Sequence, residues 1–187
     1  MKKAILLHGW EGNGKNHWFP WTQWELENRW FEVYSPNLPN TMFPVLGEQL
    51  DSIETIVKDF SDGDIIIWHS LWGTLAMNII EKYKLSWIKI ILVWPTYQGY
   101  NKDNEKKYSD EWFKTLSEYT SNNIEIRELG NQYIICLSEN DESIDLDKAE
   151  EYYCMFEDVE FLEFPNSGHF TKWDGVIKIP EILEYFE

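Results

Sequence analysis

The stretch from Asp64 to Ile80, DIIIWHSLWGTLAMNII, constrains this chain more than any other. Three consecutive isoleucines run into His69-Ser70-Leu71, and a glycine and an apolar run of helical period follow. This is the pattern of a buried strand that turns sharply into a helix with a serine at the turn. So tight a turn strains the serine backbone, lifts its Oγ clear of the sheet and aims the next N–H at the same point. Ser70 is therefore a candidate nucleophile, and the N–H of Leu71 a candidate oxyanion donor. The usual spelling, G-x-S-x-G, is not met: Trp68 and Trp72 stand at the two glycine positions. An indole at either place is expected to clash or to widen the turn.

The rest of the chain supplies further short apolar runs separated by helical patterns. Ala4–Leu7, Phe31–Tyr34, Trp87–Val93, Tyr133–Leu137 and Val159–Phe164 read as strands. His17–Arg29 reads as a helix whose Trp18, Trp21 and Trp24 form a core stripe. Leu50, Ile53, Val57 and Phe60 recur at intervals of four and three as one face of another helix. Further helices are expected over 147–156 and around 180–186, with Pro180 in the first turn of the last. Strands alternating with helices imply right-handed crossovers and an α/β fold in one domain spanning 1–187, a mostly parallel sheet with helices on both faces. Ligands then bind beyond the carboxyl ends of the strands. The polar stretch 97–131 breaks the pattern and is expected to form a pocket wall or lid. No internal repeat, low-complexity tract or linker interrupts the 187 residues.

Charge and cysteine content remove several classes of function. Against 33 acidic side chains stand 16 basic ones, a formal net charge of −17. That opposes binding to nucleic acid or anionic membrane, which both need clustered Lys and Arg. Cys136 and Cys154 read as two buried thiols of a reducing compartment rather than a disulfide framework. The apolar run after Met1-Lys2-Lys3 is four residues long, short of a secretory signal, and no run approaches a membrane span. A cytoplasmic protein acting on a small molecule is expected. His8, His17, His69 and His169 show no metal-binding spacing, and no cofactor or metal is called for. The loop after the first strand carries Gly9, Gly12 and Gly14, so N–H groups near Gly9 and Trp10 can aim at a substrate oxygen. As a phosphate cradle it fails, because Gly14-Lys15 is followed by Asn16.

Nucleophilic hydrolysis needs a serine, a histidine to take its proton and a carboxylate to orient that histidine. Ser70, Asp141 and His169 fall at strand ends in the order serine, acid, histidine. Each alone has an ordinary reading: a helix cap, an Asx turn, a loop histidine. Their coincidence points to a triad, with Asp145 and Asp147 as alternative carboxylates in the same short loop.

Six segments together carry a family resemblance: I-L-L-H-G-W at 5–10, H-W-F-P-W at 17–21, P-N-L-P-N at 36–40, H-S-L at 69–71, S-E-N-D at 138–141 and G-H-F at 168–170. In these the chain resembles the small single-domain serine hydrolases of the retinoblastoma-binding-protein-nine and YdeN type, a branch of the α/β-hydrolases. The resemblance implies a metal-independent serine hydrolase with Ser70 as nucleophile, Asp141 as acid and His169 as base. It does not extend to 97–131, so substrate specificity does not transfer. The competing reading is a binding protein of the same fold whose elbow the two tryptophans have silenced.

Position suggests a different origin for some tryptophans. Glycine at 68 and 72 would restore G-H-S-L-G, and glycine at 30 would stand where a helix C′ residue is wanted before a strand. Three replacements of one kind, each repairing a defect, point to UGA codons that the source reads as glycine. Ordinary divergence in a tolerant relative is the alternative.

Overall fold

The computed structural model describes residues 1–70, 73–95, 119, 129–141 and 146–187. Its centre is one six-stranded sheet, all pairs parallel, in the order β2-β1-β3-β4-β5-β6. The strands are β1 (Lys3–Leu7), β2 (Glu32–Tyr34), β3 (Ile65–His69), β4 (Lys89–Val93), β5 (Gln132–Ser138) and β6 (Asp158–Phe164). Between them run α1 (Phe19–Glu27), α2 (Leu46–Val57), α3 (Gly73–Tyr83) and α4 (Leu146–Tyr153).

The four central strands read as unbroken apolar runs because both their faces are covered. Ile5, Ile65, Ile66, Ile67, Ile90, Ile91, Ile134 and Ile135 have no exposed surface. Burying each such side chain is worth about 1.5–3 kcal/mol relative to leaving it in water. The chain leaves β1 toward β2 through α1 and then reverses, stepping from β3 to β4 in the other direction. With every crossover right-handed, that reversal puts α1 on one face and α2 and α3 on the other. In sheets of this kind ligands bind beyond the carboxyl ends of the strands where the direction changes, which here is between β1 and β3.

Several expectations need correcting. Within α1 the buried face is Phe19, Thr22 and Leu26, preceded by Trp18; Trp24 is 58% exposed, because Leu26 and Thr22 already fill the stripe it was to share. Cys136 is buried but Cys154 is exposed, one residue past α4, and neither is in a disulfide. The closing Pro180–Phe186 segment is a 3-10 helix with Pro at its first turn, pinned by Ile182, Tyr185 and Phe186. Strand β4 begins at Lys89 and leaves Trp87 outside it. The wall or lid expected over 97–131 lies almost wholly outside the described residues.

Candidate active site

Ser70 follows β3 directly, and its φ of +70° is the strained left-handed backbone that a strand-to-helix elbow imposes. Its Oγ stands 2.5 Å from Nε2 of His169. On the far side of the ring, Nδ1 of His169 is 2.7 Å from Oδ2 of Asp141. Three residues 28 to 99 positions apart are thus joined in one chain of hydrogen bonds. Asp141 sits just beyond β5 and His169 in the loop after β6, each at a carboxyl end. The alternative acid Asp145 is outside the described residues, and Asp147 lies in the first turn of α4.

The loops that carry Asp141 and His169 are stitched to each other by Ser138, Asn140, Ser167 and Gly168, none of which was assigned a role from the sequence. Oγ of Ser138 donates to Oδ1 of Asn140 at 2.9 Å and accepts from the Ser167 N–H at 3.1 Å. The Gly168 N–H donates to the same Asn140 oxygen at 2.8 Å. Gly168 and Phe170 both take left-handed φ on either side of His169, and buried Phe170 anchors the loop against Phe164 and Trp94. The one available signal for this stitching was the S-E-N-D segment read as a unit.

All four histidines of the chain belong to this region. His69 is buried, and its Nε2–H donates to the backbone carbonyl of His169 at 2.8 Å. Burial, and next the nearby His169 imidazole, push its pKa down to about 3. Rings of His17, Trp18, Phe19 and His169 surround it at centroid distances of 5.4 to 6.5 Å. His17 accepts the Lys172 N–H at Nδ1, 3.1 Å away, and burial, then Lys172, lower its pKa. His8 accepts the Leu38 N–H at Nε2, so its proton is on Nδ1, which donates to the Gly9 carbonyl at 2.9 Å. Its pKa too is lowered by burial. It ties the loop after β1 to the Pro-rich loop at 36–40.

The loop after β1 closes against the elbow. A Cβ built on Gly9 would lie 2.8 Å from both the His69 carbonyl oxygen and Ser70 Cβ, and 3.4 Å from Ser70 Oγ. Only glycine allows that approach. Trp10 follows it, with its indole N–H donating to the Met42 carbonyl at 3.0 Å. Leu71, the other expected oxyanion donor, is outside the described residues, as is Trp72. Trp68 does not widen the turn: it is fully buried in β3, its Nε1 has no partner, and Ser70 keeps its elbow geometry. The core absorbs the indole instead. Among the described residues no group of three His, Cys, Asp or Glu side chains could hold a metal ion.

A parallel sheet that crosses over at this point, with a serine elbow at its switch, defines the α/β-hydrolase class. The profile of the serine hydrolase family matches residues 4–187, and the chain belongs to that family. YdeN of Bacillus subtilis strain 168 is 23% identical over 188 residues, covering 98% of this chain and 93% of its own. The YdeN crystal structure superposes with a TM-score of 0.83 at 20% identity, covering 100% of this chain and 99% of that one. Est1E of Butyrivibrio proteoclasticus gives 0.68 at 14% identity, covering 98% and 88%. The meta-cleavage product hydrolase CumD from Pseudomonas fluorescens IP01 gives 0.66 at 14% identity, covering 100% and 90%. At these identities the structural likeness establishes the fold. No helix among the described residues is long and apolar enough to cross a membrane.

Proposed function

We propose that this hydrolase cleaves an ester or amide bond of a small substrate, in the manner of a carboxylesterase, through a Ser70–His169–Asp141 triad and an acyl-enzyme. The observation that carries the reading is the continuous bonding from Ser70 Oγ through both ring nitrogens of His169 to Asp141. His169 Nε2 takes the Ser70 proton as Oγ attacks the substrate carbonyl, and Asp141 stabilises the imidazolium that forms. N–H groups of Leu71 and of Gly9 or Trp10 receive the charge developing on the carbonyl oxygen. His169 then gives its proton to the leaving alcohol or amine, leaving an ester on Ser70. Water, deprotonated by the same imidazole, attacks that ester; the acid departs and Ser70 recovers its proton. The reading places a single domain over 1–187 in the cytoplasm and assigns no cofactor, nucleic acid or membrane.

The test is labelling with a fluorophosphonate probe together with turnover of a panel of chromogenic esters and amides. Label on Ser70 that is lost in Ser70→Ala supports the reading. A folded protein that neither labels nor turns over would instead favour the silent binding protein of the same fold.

A further inference from the structure

Backbone conformation sets three of the described tryptophans apart from the others. Nine non-glycine residues among those described have positive φ, and three are tryptophans: Trp30 at +64°, Trp87 at +60° and Trp94 at +52°. A bulky aromatic residue in the left-handed region is a true outlier, whereas glycine enters it freely. At Trp30 the local hydrogen bonding names the residue that belongs there. The Phe31 N–H donates to the Leu26 carbonyl and the Trp30 N–H to the Glu27 carbonyl, both at 3.1 Å. This 6→1 and 5→2 pair is a Schellman motif with Trp30 at C′, and buried Phe31 and Leu26 make its apolar contact. The indole itself is 82% exposed and contributes no core packing. Lys84 fills the same position after α3, so the motif tolerates another residue; what is unusual is the recurrence of one residue type.

Trp87 also turns outward, 66% exposed, while its backbone bonds to Leu129 and Gly63. Trp94 ends β4, where its N–H donates to the Cys136 carbonyl at 2.8 Å and the backbone must turn left-handed. Trp68 and Trp72 stand at the two elbow positions that ask for glycine. By contrast Trp10, Trp18, Trp21, Trp24 and Trp173 have no left-handed backbone. The orphaned Nε1 of Trp68 is shared by Trp18, so only the backbone and the motif discriminate.

We propose that positions 30, 68, 72, 87 and 94 are glycine in the native protein, encoded by UGA codons that its source decodes as glycine. At 30, 87 and 94 the inference stands on backbone geometry, and at 68 and 72 on the elbow motif. It does bear on the site. Val93 pairs with His69 across the sheet, so Trp94 lies beside the elbow, and its ring packs on Phe170 next to His169. Without that indole, space opens at the carboxyl edge beside Ser70 for the acyl part of a substrate.

The gene and the native protein decide the matter. UGA is expected at these five codons and UGG at Trp18 and Trp21, with glycine at the five positions in peptides from the source organism. UGG at any of these five codons overturns the proposal. So does tryptophan in those peptides, and so does UGA at codons 18 and 21, which would mark an ordinary reassignment to tryptophan. A chain with Trp30→Gly and Trp87→Gly, whose indoles are exposed, should melt about 2–4 °C higher for each position relieved. Trp18→Gly, which empties a buried site, should melt lower. The reverse order would count against glycine at 30 and 87.

A separate observation concerns His69. Consecutive residues grip the base at two points: Ser70 at the His169 ring, His69 at the His169 carbonyl. We infer that His69 is a positioning residue for the base, an inference that rests on the triad reading. With its carbonyl held, the left-handed turns at Gly168 and Phe170 present the ring to Ser70 in one orientation. His69→Gln keeps an N–H near the reach of Nε2 and should retain most activity. His69→Phe should lower kcat about 10- to 100-fold with KM nearly unchanged. If His69→Phe does not fold, His69→Asn, whose amide is too short, replaces it. Full kcat in either variant overturns the role, and so does failure of Gln to rescue. Ser70→Ala, run beside them, distinguishes loss of this inference from loss of the triad reading, since turnover there would refute the triad itself.

Discussion

The backbone carbonyl of His169 lies 2.8 Å from the ring nitrogen of His69, 100 residues earlier in the chain. The neighbour of Ser70 in sequence thus holds the main chain of His169 while Ser70 holds its ring. With Ser70 and Asp141 on its ring and His69 on its main chain, the imidazole of His169 is held by three hydrogen bonds, preorganisation of the kind that the proposed proton transfer needs.

Ser70→Ala and His169→Ala should each reduce ester turnover by on the order of 10⁴-fold or more, since members of a triad act as a unit. Steady-state assays of both single variants and the double variant check this. Additive losses in the double variant would contradict a shared proton path.

Asp141→Asn should cost about 10⁴-fold in kcat with the fold intact, because an amide facing Nδ1 allows the wrong tautomer. Asp147→Asn should leave activity unchanged. Full activity in Asp141→Asn with loss in Asp145→Asn would move the acid and preserve the chemistry.

Gly9→Ala should impair both stability and activity, because its Cβ would stand 2.8 Å from the His69 carbonyl oxygen and Ser70 Cβ. Backbone must shift to admit it, and a shift of a few tenths of an ångström at the elbow misplaces Oγ. A melting curve and a kcat measurement on the same preparation are the check. An unchanged pair would mean that the loop does not close on the elbow.

Stability should fall on mild acidification. His69 is held near a pKa of about 3 when folded, against about 6.5 in the unfolded chain. Between those values the unfolded state binds a proton that the folded state refuses, so stability is lost as pH drops from about 6.5 toward 3. The slope from this residue is at most about 1.4 kcal/mol per pH unit. Urea titrations at pH 7, 5.5 and 4.5 should therefore show a shallower decline for His69→Gln than for the parent. His8 and His17, also lowered, add in the same direction.

Much of this protein was legible in its sequence. Unbroken runs such as Ile65–Ile67 can be buried only in a two-sided parallel sheet, and their alternation with helical periods leaves few topologies. That Ser70, Asp141 and His169 come together was legible because strand ends are where such a sheet gathers polar side chains. Left-handed backbone at position 30 was likewise anticipated from the end of a helix before a strand. Tertiary structure alone decided what depends on distance across the chain. The grip of His69 on His169, the stitching of Ser138 and Asn140 to the loop after β6, and the nearness of Gly9 to Ser70 join residues 28 to 100 positions apart. Hydrogen bonds of that kind leave no periodicity in the sequence, because each is made by one residue at one place. Local pattern also failed at Trp24, whose helical spacing matched the core stripe while the sheet had room only for Trp18, Phe19, Thr22 and Leu26. Period says which residues share a face, but the volume beneath that face is set by the other elements packed against it.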